Sequence, residues 1–426
     1  MNLPDFGVLL VESLILLSVG AALVSYFVRG KYADRIKYIF AYTYILKIIV
    51  GTIIVRIITG EYGSSFLSID TQRAAQVAEN ISQAGILSYG DYVLYGLDWI
   101  PYYYAVIFNL TDSNSIYVMA VWSLVASLTV IPIYILAKNL FGEEVSYTSS
   151  ILVLIYPSFF VFSFIPHKDV LSAFLLSLSA LSLIKSKLST ANILLFSLTI
   201  LGLLTVRPEM IIVLILSYIL WRALISGRRL YTSSITWSII VVSIASYLTY
   251  TVLPDMYADS MFSLEGIYAR VEDTSNIGSS GGGIQESIIR QNIFIRTLLG
   301  SVFLLIKPFP PTETLTGLDL ATFLTPSAFA IYFILPFVLY GVWASIKRRD
   351  DGTFLIFLAV LTFVAAAAVT GGAAVRYRVQ VMPFLLIFAS YGYCLPGNKK
   401  PLFLGYYLLF VLGVILYISL KAATIF

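Results

Sequence analysis

The sequence predicts an all-α polytopic membrane protein, a single transmembrane domain (1–426) of about twelve membrane-spanning helices. Three observations support this prediction. Only 12% of the 426 residues are charged, whereas soluble domains carry roughly 25%. Apolar runs of about 20 residues, long enough to cross a bilayer, recur along the chain. Basic residues concentrate in short loops that would all lie on one side of the membrane.

The first apolar run, residues 7–28, has no lysine or arginine before it. A cleaved signal peptide begins with a basic region, so this run is interpreted as a retained helix, an extra span ahead of the others. The predicted spans are residues 7–28, 38–59, 115–138, 146–165, 170–184, 190–206, 210–226, 232–253, 324–345, 353–370, 377–395 and 402–420.

Loop charge predicts the orientation. One set of short loops holds fifteen basic and five acidic residues, and all of these loops share one side if twelve spans alternate. The positive-inside rule makes that side cytoplasmic. We therefore expect an integral protein of the cell (cytoplasmic) membrane with both termini outside. Its two long loops, 60–114 and 254–323, would then lie on the outer face.

Two apolar segments are too short to cross a bilayer comfortably. They are residues 99–110, which contain a cluster of tyrosines, and residues 294–306. A crossing requires about 20 residues, so both are predicted to be interfacial helices within the two long outer loops. Tyrosine and tryptophan favour that depth in the membrane.

Two carboxylates are candidates for catalysis. Asp70 follows the second span by about ten residues, where it is positioned to act as a general base on a hydroxyl group at the membrane surface. Asp70 also fits the N-cap of the helix that "DTQRAAQ" predicts. Asp169, in the outer turn "PHKD", either caps the next helix or faces the same cleft as Asp70. His167 and Lys168 directly precede Asp169 in the sequence and are predicted to line the site.

Several cations are predicted near the outer helix ends, where charge is costly and often functional. Each of these side chains either binds the phosphate of a lipid-linked substrate or only contacts lipid headgroups. In an extended turn, the side chains of Arg376 and Arg378 would point the same way. Glu209 is a candidate partner for Arg207. The candidate phosphate-binding residues are Arg207, Arg376, Arg378 and Lys307, and Arg56 lies close to the same face.

Other classes of site are excluded by the sequence. One cysteine and one histidine rule out a disulfide framework, a cysteine-based metal site and a multi-histidine metal cluster. Walker, dinucleotide-binding, Gly-x-Ser-x-Gly and His-Glu-x-x-His motifs are absent. No cofactor, no metal ligand and no nucleic-acid partner is therefore predicted, although a divalent metal stays compatible with the sequence.

Five stretches resemble the GT-C superfamily of integral-membrane glycosyltransferases, in the branch of protein O-mannosyltransferases, aminoarabinose transferases and surface-polysaccharide enzymes. They lie in order between residues 38 and 395. These stretches are "SIDTQRAAQVAENISQAGILSYGDY", "FNLTDSNSIYVMAVWSLVASLTVIPIYILAKNLFG", "PHKDVLSAFLLSLSALSL", "GLLTVRPEMIIVLI" and "RYRVQVMPFLLIFASYG".

The resemblance implies a sugar donor on a polyprenyl-phosphate carrier and a glycan, lipid or protein acceptor. It implies that Asp70 is the base, that Asp169 frames the site or binds a divalent metal, and that outer basic residues hold the carrier phosphate. Mannosyltransferases often carry an Asp-Glu pair where this chain has one aspartate, so Asp91 and Asp98 stay open as alternatives to Asp70. The lack of a large soluble C-terminal domain argues against an oligosaccharyltransferase-like protein substrate.

Two other functions compete with a transferase. An O-antigen-type polymerase or ligase also acts on lipid-linked sugars. A lipid-linked sugar transporter would place its polar residues along a path through the membrane. Here the spans carry few charges, and clusters at their outer ends account for most of them, which favours an enzyme working at that surface.

Overall fold

The structure, a computed structural model, describes residues 3–61, 69–84, 99–110, 115–164, 167–184, 190–223, 291–306, 320–370, 377–395, 403–413 and 415. Every regular element within these ranges is helical. The helices are α1 (Leu3–Phe27), α2 (Ala33–Glu61), α3 (Ile69–Ala84), α4 (Ile100–Leu110), α5 (Ser115–Leu128), α6 (Val130–Phe141), α7 (Glu143–Ile155), α8 (Pro157–Phe164), α9 (Lys168–Ile184), α10 (Thr190–Val206), α11 (Glu209–Trp221), α12 (Ile293–Ile306), α13 (Leu320–Arg348), α14 (Thr353–Thr370), α15 (Arg378–Cys394) and α16 (Phe403–Gly413).

Within the described residues the predicted spans are helical, while 232–253 and the ends of 210–226 and 402–420 lie outside these residues. By length and composition, four described segments are able to cross a membrane: Gly7–Phe27, Ala33–Ile54, Tyr117–Phe141 and Phe329–Arg348. The pair α7 and α8, bent by 46°, makes a fifth if the two helices are counted as one span. The bend falls at Tyr156 because the following proline favours an extended backbone at the residue before it. The remaining apolar helices are shorter, so a total of twelve spans stays a prediction.

Loops that carry basic residues lie together at one end of the bundle. The carbonyl oxygen of Arg29, between α1 and α2, accepts hydrogen bonds from the Tyr134 hydroxyl at 3.0 Å and the Lys138 ammonium at 2.5 Å. Lys138 also pairs with Glu143 of α7 at 2.5 Å. Gly30 has a φ of 147°, and a Cβ there would collide with the Glu143 carboxylate, so only glycine fits this turn.

Further contacts bring other loops to this end. Phe141 stacks on Tyr391 with ring centroids 4.0 Å apart, and the Arg348 guanidinium lies 5.6 Å from the centre of the Tyr391 ring. Trp221, at the end of α11, packs against Phe354 at the start of α14. We call this the basic end. Basic loops that the sequence assigns to one side thus meet at one end of the structure, while its assignment to the cytoplasm stays a prediction.

Helix α15 is the centre of the bundle. All its residues from Arg378 to Gly392 are buried. Helix α13 packs against it so closely that a Cβ on Gly341 or Gly392 would meet the backbone of the other helix. Small residues allow such close approach of helices within membranes. This contact fixes the rotation of α15 and therefore determines which neighbour each of its first residues faces.

Candidate active site

The opposite end of α15 carries a buried charged cluster, and we call it the site end. Seventeen residues of helix, about 25 Å, separate it from the basic end. Asp169, the second residue of α9, has no exposed surface. Its Oδ1 accepts hydrogen bonds from Nη2 of Arg207 at 2.6 Å and from Nε2 of Gln380 at 2.7 Å. A buried carboxylate requires such partners because its loss of hydration is otherwise uncompensated.

The second oxygen of Asp169 faces His167. Its Oδ2 lies 2.9 Å from Nδ1 of the imidazole. The same ring nitrogen lies 3.3 Å from the backbone nitrogen of Asp169, where it would act as an acceptor. The shorter contact favours an N–H on Nδ1 that donates to the carboxylate. Both oxygens of Asp169 are therefore engaged within the protein.

Arg207 is the centre of the cluster, and only 7% of its side chain is exposed. Besides Asp169, its guanidinium contacts Glu209 and Tyr377. Nη1 donates to Oε1 of Glu209 and to the Tyr377 hydroxyl, each at 3.2 Å, and the guanidinium lies over the Tyr377 ring at 4.7 Å. Burial is the largest single influence and lowers the pKa of Arg207, but the charges of Asp169, Tyr377 and Glu209 and the hydrogen bond to Asp169 together outweigh it, so this pKa lies well above its usual value. Arg207 is a permanent cation.

Three distant segments supply the cluster. Helix α10 ends at Val206 and α11 begins at Glu209, with Arg207 and Pro208 forming the turn between them. Proline lacks an N–H and is tolerated where a helix starts, so the chain turns at this point. Tyr377 and Gln380 are three residues apart at the start of α15 and therefore share one helix face. That face meets Arg207 and Asp169.

Helices α3 and α4 of the first long loop pack at the site end. The backbone N–H of Trp99 donates to the carbonyl of Thr205 at 3.3 Å, and the hydroxyls of Tyr103 and Thr205 share a hydrogen bond of 2.8 Å. Tyr104 makes an edge contact with Trp122, whose indole N–H donates to the backbone carbonyl of His167 at 3.0 Å. A continuous set of contacts thus links the first long loop to the charged cluster.

Asp70 lies in the first turn of α3, which begins at Ile69, so it is inside the helix and not at the N-cap that the sequence offered as an alternative. Ala74, Ala78 and Ile81 of α3 are buried in one apolar cluster with Ile100 and Val206, next to Arg207 in sequence. The backbone of α3 is therefore anchored at the site end. The side chain of Asp70 lies outside the described residues, so its role as the base stays a prediction.

Arg378 differs from its predicted place at the membrane surface. Only 1% of this residue is exposed. Its guanidinium donates to the carbonyl of Leu305 at 3.2 Å and contacts Oγ of Ser327 at 3.5 Å. The prediction assumed an extended turn, but the chain is already helical at Arg378. Arg378 consequently faces α12 and α13, away from the helix face that carries Tyr377 and Gln380.

The remaining candidates are distributed as follows. The pairing of Glu209 with Arg207 is confirmed, and Lys168 is half-buried at the start of α9. Arg56 lies on α2, but its side chain is not described. The candidates outside the described residues are Asp91, Asp98, Lys307 and Arg376.

Sequence reasoning missed Gln380 and Tyr377. A signal for both is visible in "RYRVQVMPFLL". Gln380 interrupts an apolar run that is buried on all sides, and a buried amide requires a polar partner. Its three-residue spacing from Tyr377 places both on one helix face, where Gln380 contacts Asp169 and Tyr377 contacts Arg207.

The charged end of an all-helical membrane bundle is consistent with the GT-C resemblance, and a comparison with protein families supports it. The family described as dolichyl-phosphate-mannose-protein mannosyltransferase matches residues 99–252, about a third of the chain. The matched stretch runs from α4 past α11 and includes Asp169, Arg207 and Glu209. Asp70 and Gln380 lie outside it. The resemblance to GT-C glycosyltransferases is confirmed over this stretch.

Two solved structures from Archaeoglobus fulgidus are also similar. One is the oligosaccharyltransferase AglB in complex with an inhibitory peptide and a dolichol-phosphate, at 14% identity and a TM-score of 0.46 over 88% of this chain and 54% of that one. The other is an oligosaccharyltransferase in the apo form, at 14% identity and a TM-score of 0.46 over 81% and 50%. This chain spans about half the length of these proteins. No curated protein sequence matches it.

Metal ligands do not gather within the described ranges. No three histidine, cysteine, aspartate or glutamate side chains there come together to hold an ion. The carboxylate of Asp169 is instead neutralised by Arg207. The side chains of Asp70, Asp91 and Asp98 lie outside this search, so metal binding by the first long loop stays open to experiment.

Proposed function

We propose that this chain is a GT-C-type glycosyltransferase that moves a sugar from a polyprenyl-phosphate carrier to an acceptor hydroxyl at the outer membrane face. The observation that carries the proposal is the permanent cation Arg207, held at the end of the bundle to which the first long loop is anchored. The family match over residues 99–252 supports the same class of reaction. A glycan, lipid or protein would serve as the acceptor.

The chemistry assigns a role to each group. The acceptor oxygen bonds to the anomeric carbon as the bond from that carbon to the phosphate oxygen breaks, and Asp70 takes the acceptor proton. Negative charge grows on the departing phosphate, where Arg207 stabilises it. A preorganised donor of this kind contributes about 3 kcal/mol, and a general base contributes about 10²–10⁴ in rate. A single displacement inverts the anomeric configuration.

Asp169, Gln380 and Tyr377 are positioning residues in this scheme. They fix the guanidinium before the donor arrives, so no free energy is spent on ordering it during the reaction. Asp169 has no exposed surface, its Oδ1 accepts hydrogen bonds from Arg207 and Gln380, and its Oδ2 lies 2.9 Å from Nδ1 of His167. Removal of the proton from the acceptor hydroxyl therefore falls to a carboxylate of the first long loop, with Asp70 proposed ahead of Asp91 and Asp98.

The test uses the purified full chain in liposomes with polyprenyl-phosphate mannose, and with other sugars on the same carrier. A membrane extract supplies glycan and lipid acceptors. Mass spectrometry follows the release of polyprenyl phosphate and the mass gain of the acceptor. Release in wild type and its loss in Asp70→Asn support the proposal. Movement of intact donor across the bilayer without release would identify a transporter instead.

Arg207→Lys provides a sharper variant for the same assay. Lysine retains the charge but lacks the planar fork that grips two phosphate oxygens. We expect weaker use of the donor although the net charge is unchanged. An unchanged kcat/KM would show that the carrier phosphate is held elsewhere.

A further inference from the structure

Arg207 has two carboxylate partners whose surroundings differ greatly. Asp169 is fully buried and lies 2.6 Å from Nη2. Glu209 lies 3.2 Å from Nη1, and 45% of its side chain is exposed. One partner is therefore part of the protein interior, and the other is in contact with the surroundings of the site end.

The two ion pairs differ in how easily they are replaced. Removing one partner of a buried pair leaves an uncompensated charge and shifts the folding equilibrium towards the unfolded state by more than about a hundredfold. A pair with one exposed partner contributes less, at most about fivefold, because water competes for the exposed carboxylate. An incoming anion thus displaces Glu209 readily, while Asp169 keeps its place.

Three further features favour an anion at the place on Arg207 that the Glu209 carboxylate occupies. Nε of Arg207 is buried and has no hydrogen-bond partner among the described residues. Helix α11 begins at Glu209, and the positive end of its helix dipole favours an anion there. The Tyr377 ring and hydroxyl hold the guanidinium in one orientation. These features fit a phosphate oxygen as well as they fit a carboxylate.

We propose that the Glu209 carboxylate occupies the position on Arg207 that the carrier phosphate takes, so that Glu209 is a displaceable competitor that sets donor affinity. This inference rests on the proposed function and adds a specificity-determining residue to it. An acidic side chain at this point favours ligands that bring enough negative charge to replace it. It excludes neutral lipids, which have nothing to exchange for the ion pair.

The experiment compares Glu209→Gln with wild type, both as the purified full chain in nanodiscs. Glutamine retains the size and hydrogen bonding of the side chain but removes its charge. Glu144→Gln is the matched control, because Glu144 is also an exposed acid in the first turn of a helix, at the basic end. Polyprenyl phosphate is the probe, with polyprenyl alcohol and phosphatidylglycerol as comparison ligands.

We expect Glu209→Gln to bind polyprenyl phosphate about two- to fivefold more tightly. Glu144→Gln should bind as wild type does, and polyprenyl alcohol should gain nothing. In the transfer assay KM for the donor should fall by a similar factor with little change in kcat. Glu209→Ala should act in the same direction, with an unchanged unfolding temperature as the check on folding.

Three results would overturn the inference. Weaker or unchanged binding of polyprenyl phosphate by Glu209→Gln would mean that Glu209 orients Arg207 instead of competing with a ligand. A fall in kcat at constant KM would lead to the same conclusion. An equal gain for phosphatidylglycerol would make the site a general headgroup contact. Tighter carrier binding without any sugar transfer would instead uphold the inference and refute the proposed function.

Discussion

Replacing Asp169 by asparagine is the most direct test of the charged cluster. The substitution retains the shape of the side chain and removes its charge. Arg207 then stays buried with only the half-exposed Glu209 as a counter-charge. The new amide must also turn its N–H group either towards Arg207 and Gln380, which both donate to the carboxylate, or towards Nδ1 of His167, which lies 2.9 Å from it.

The magnitude follows from this geometry. Breaking a buried ion pair by removing one partner costs about 3–5 kcal/mol. Asp169 has no exposed surface, so we expect the free energy of unfolding to fall within that range. Glu209→Gln removes an acid from the same arginine but at an exposed position, so it should cost no more than about 1 kcal/mol. The ratio of the losses in the free energy of unfolding for Asp169→Asn and Glu209→Gln tests whether burial of the carboxylate causes the larger loss.

The assay is graded unfolding in dodecyl sulfate followed by tryptophan fluorescence. Trp122, whose indole bonds to the carbonyl of His167, lies beside the cluster and reports on it. The double variant Asp169→Asn with Arg207→Gln removes both charges, and we expect it to be more stable than the sum of the single variants predicts. The reasoning is wrong if Asp169→Asn unfolds like wild type, or if the two substitutions are additive.

Three further predictions follow from the same structure. Asp70→Asn should lower turnover by at least about a hundredfold while donor binding persists; normal turnover would pass the role of base to another carboxylate. In a Cys394→Ser background, a cysteine at Gln83 of α3 should react with an impermeant thiol reagent from outside and one at Glu144 should not, and the reverse labelling would invert the predicted topology. Arg378→Ala should lower the unfolding temperature and leave the donor KM nearly unchanged, because Arg378 binds the Leu305 carbonyl inside the protein. A change in KM without a change in unfolding temperature would instead identify Arg378 as a phosphate ligand.

The sequence by itself determined the helices and how charge divides between the ends of the bundle. A single long apolar run satisfies its backbone N–H and C=O groups within a membrane by forming a helix. The spans predicted at 190–206 and 353–370 accordingly coincide with α10 and α14. The basic loops at 29–37, 138–143 and 347–349 meet at one end of the described structure, as their charge predicted, and the compartment that this end faces stays a prediction. The separate pairing of Glu209 with Arg207 was also predictable, because two residues on either side of a turn-forming proline are close in any fold.

Only the tertiary structure decided which distant groups meet. Asp169 and Gln380 are 211 residues apart, and their contact depends on how α9 packs against α15. The rotation of α15, fixed by its close packing on α13, turns Tyr377 and Gln380 towards Arg207 and turns Arg378 towards α12. Adjacent helical residues point about 100° apart, so the direction of each side chain follows from packing that local sequence does not encode.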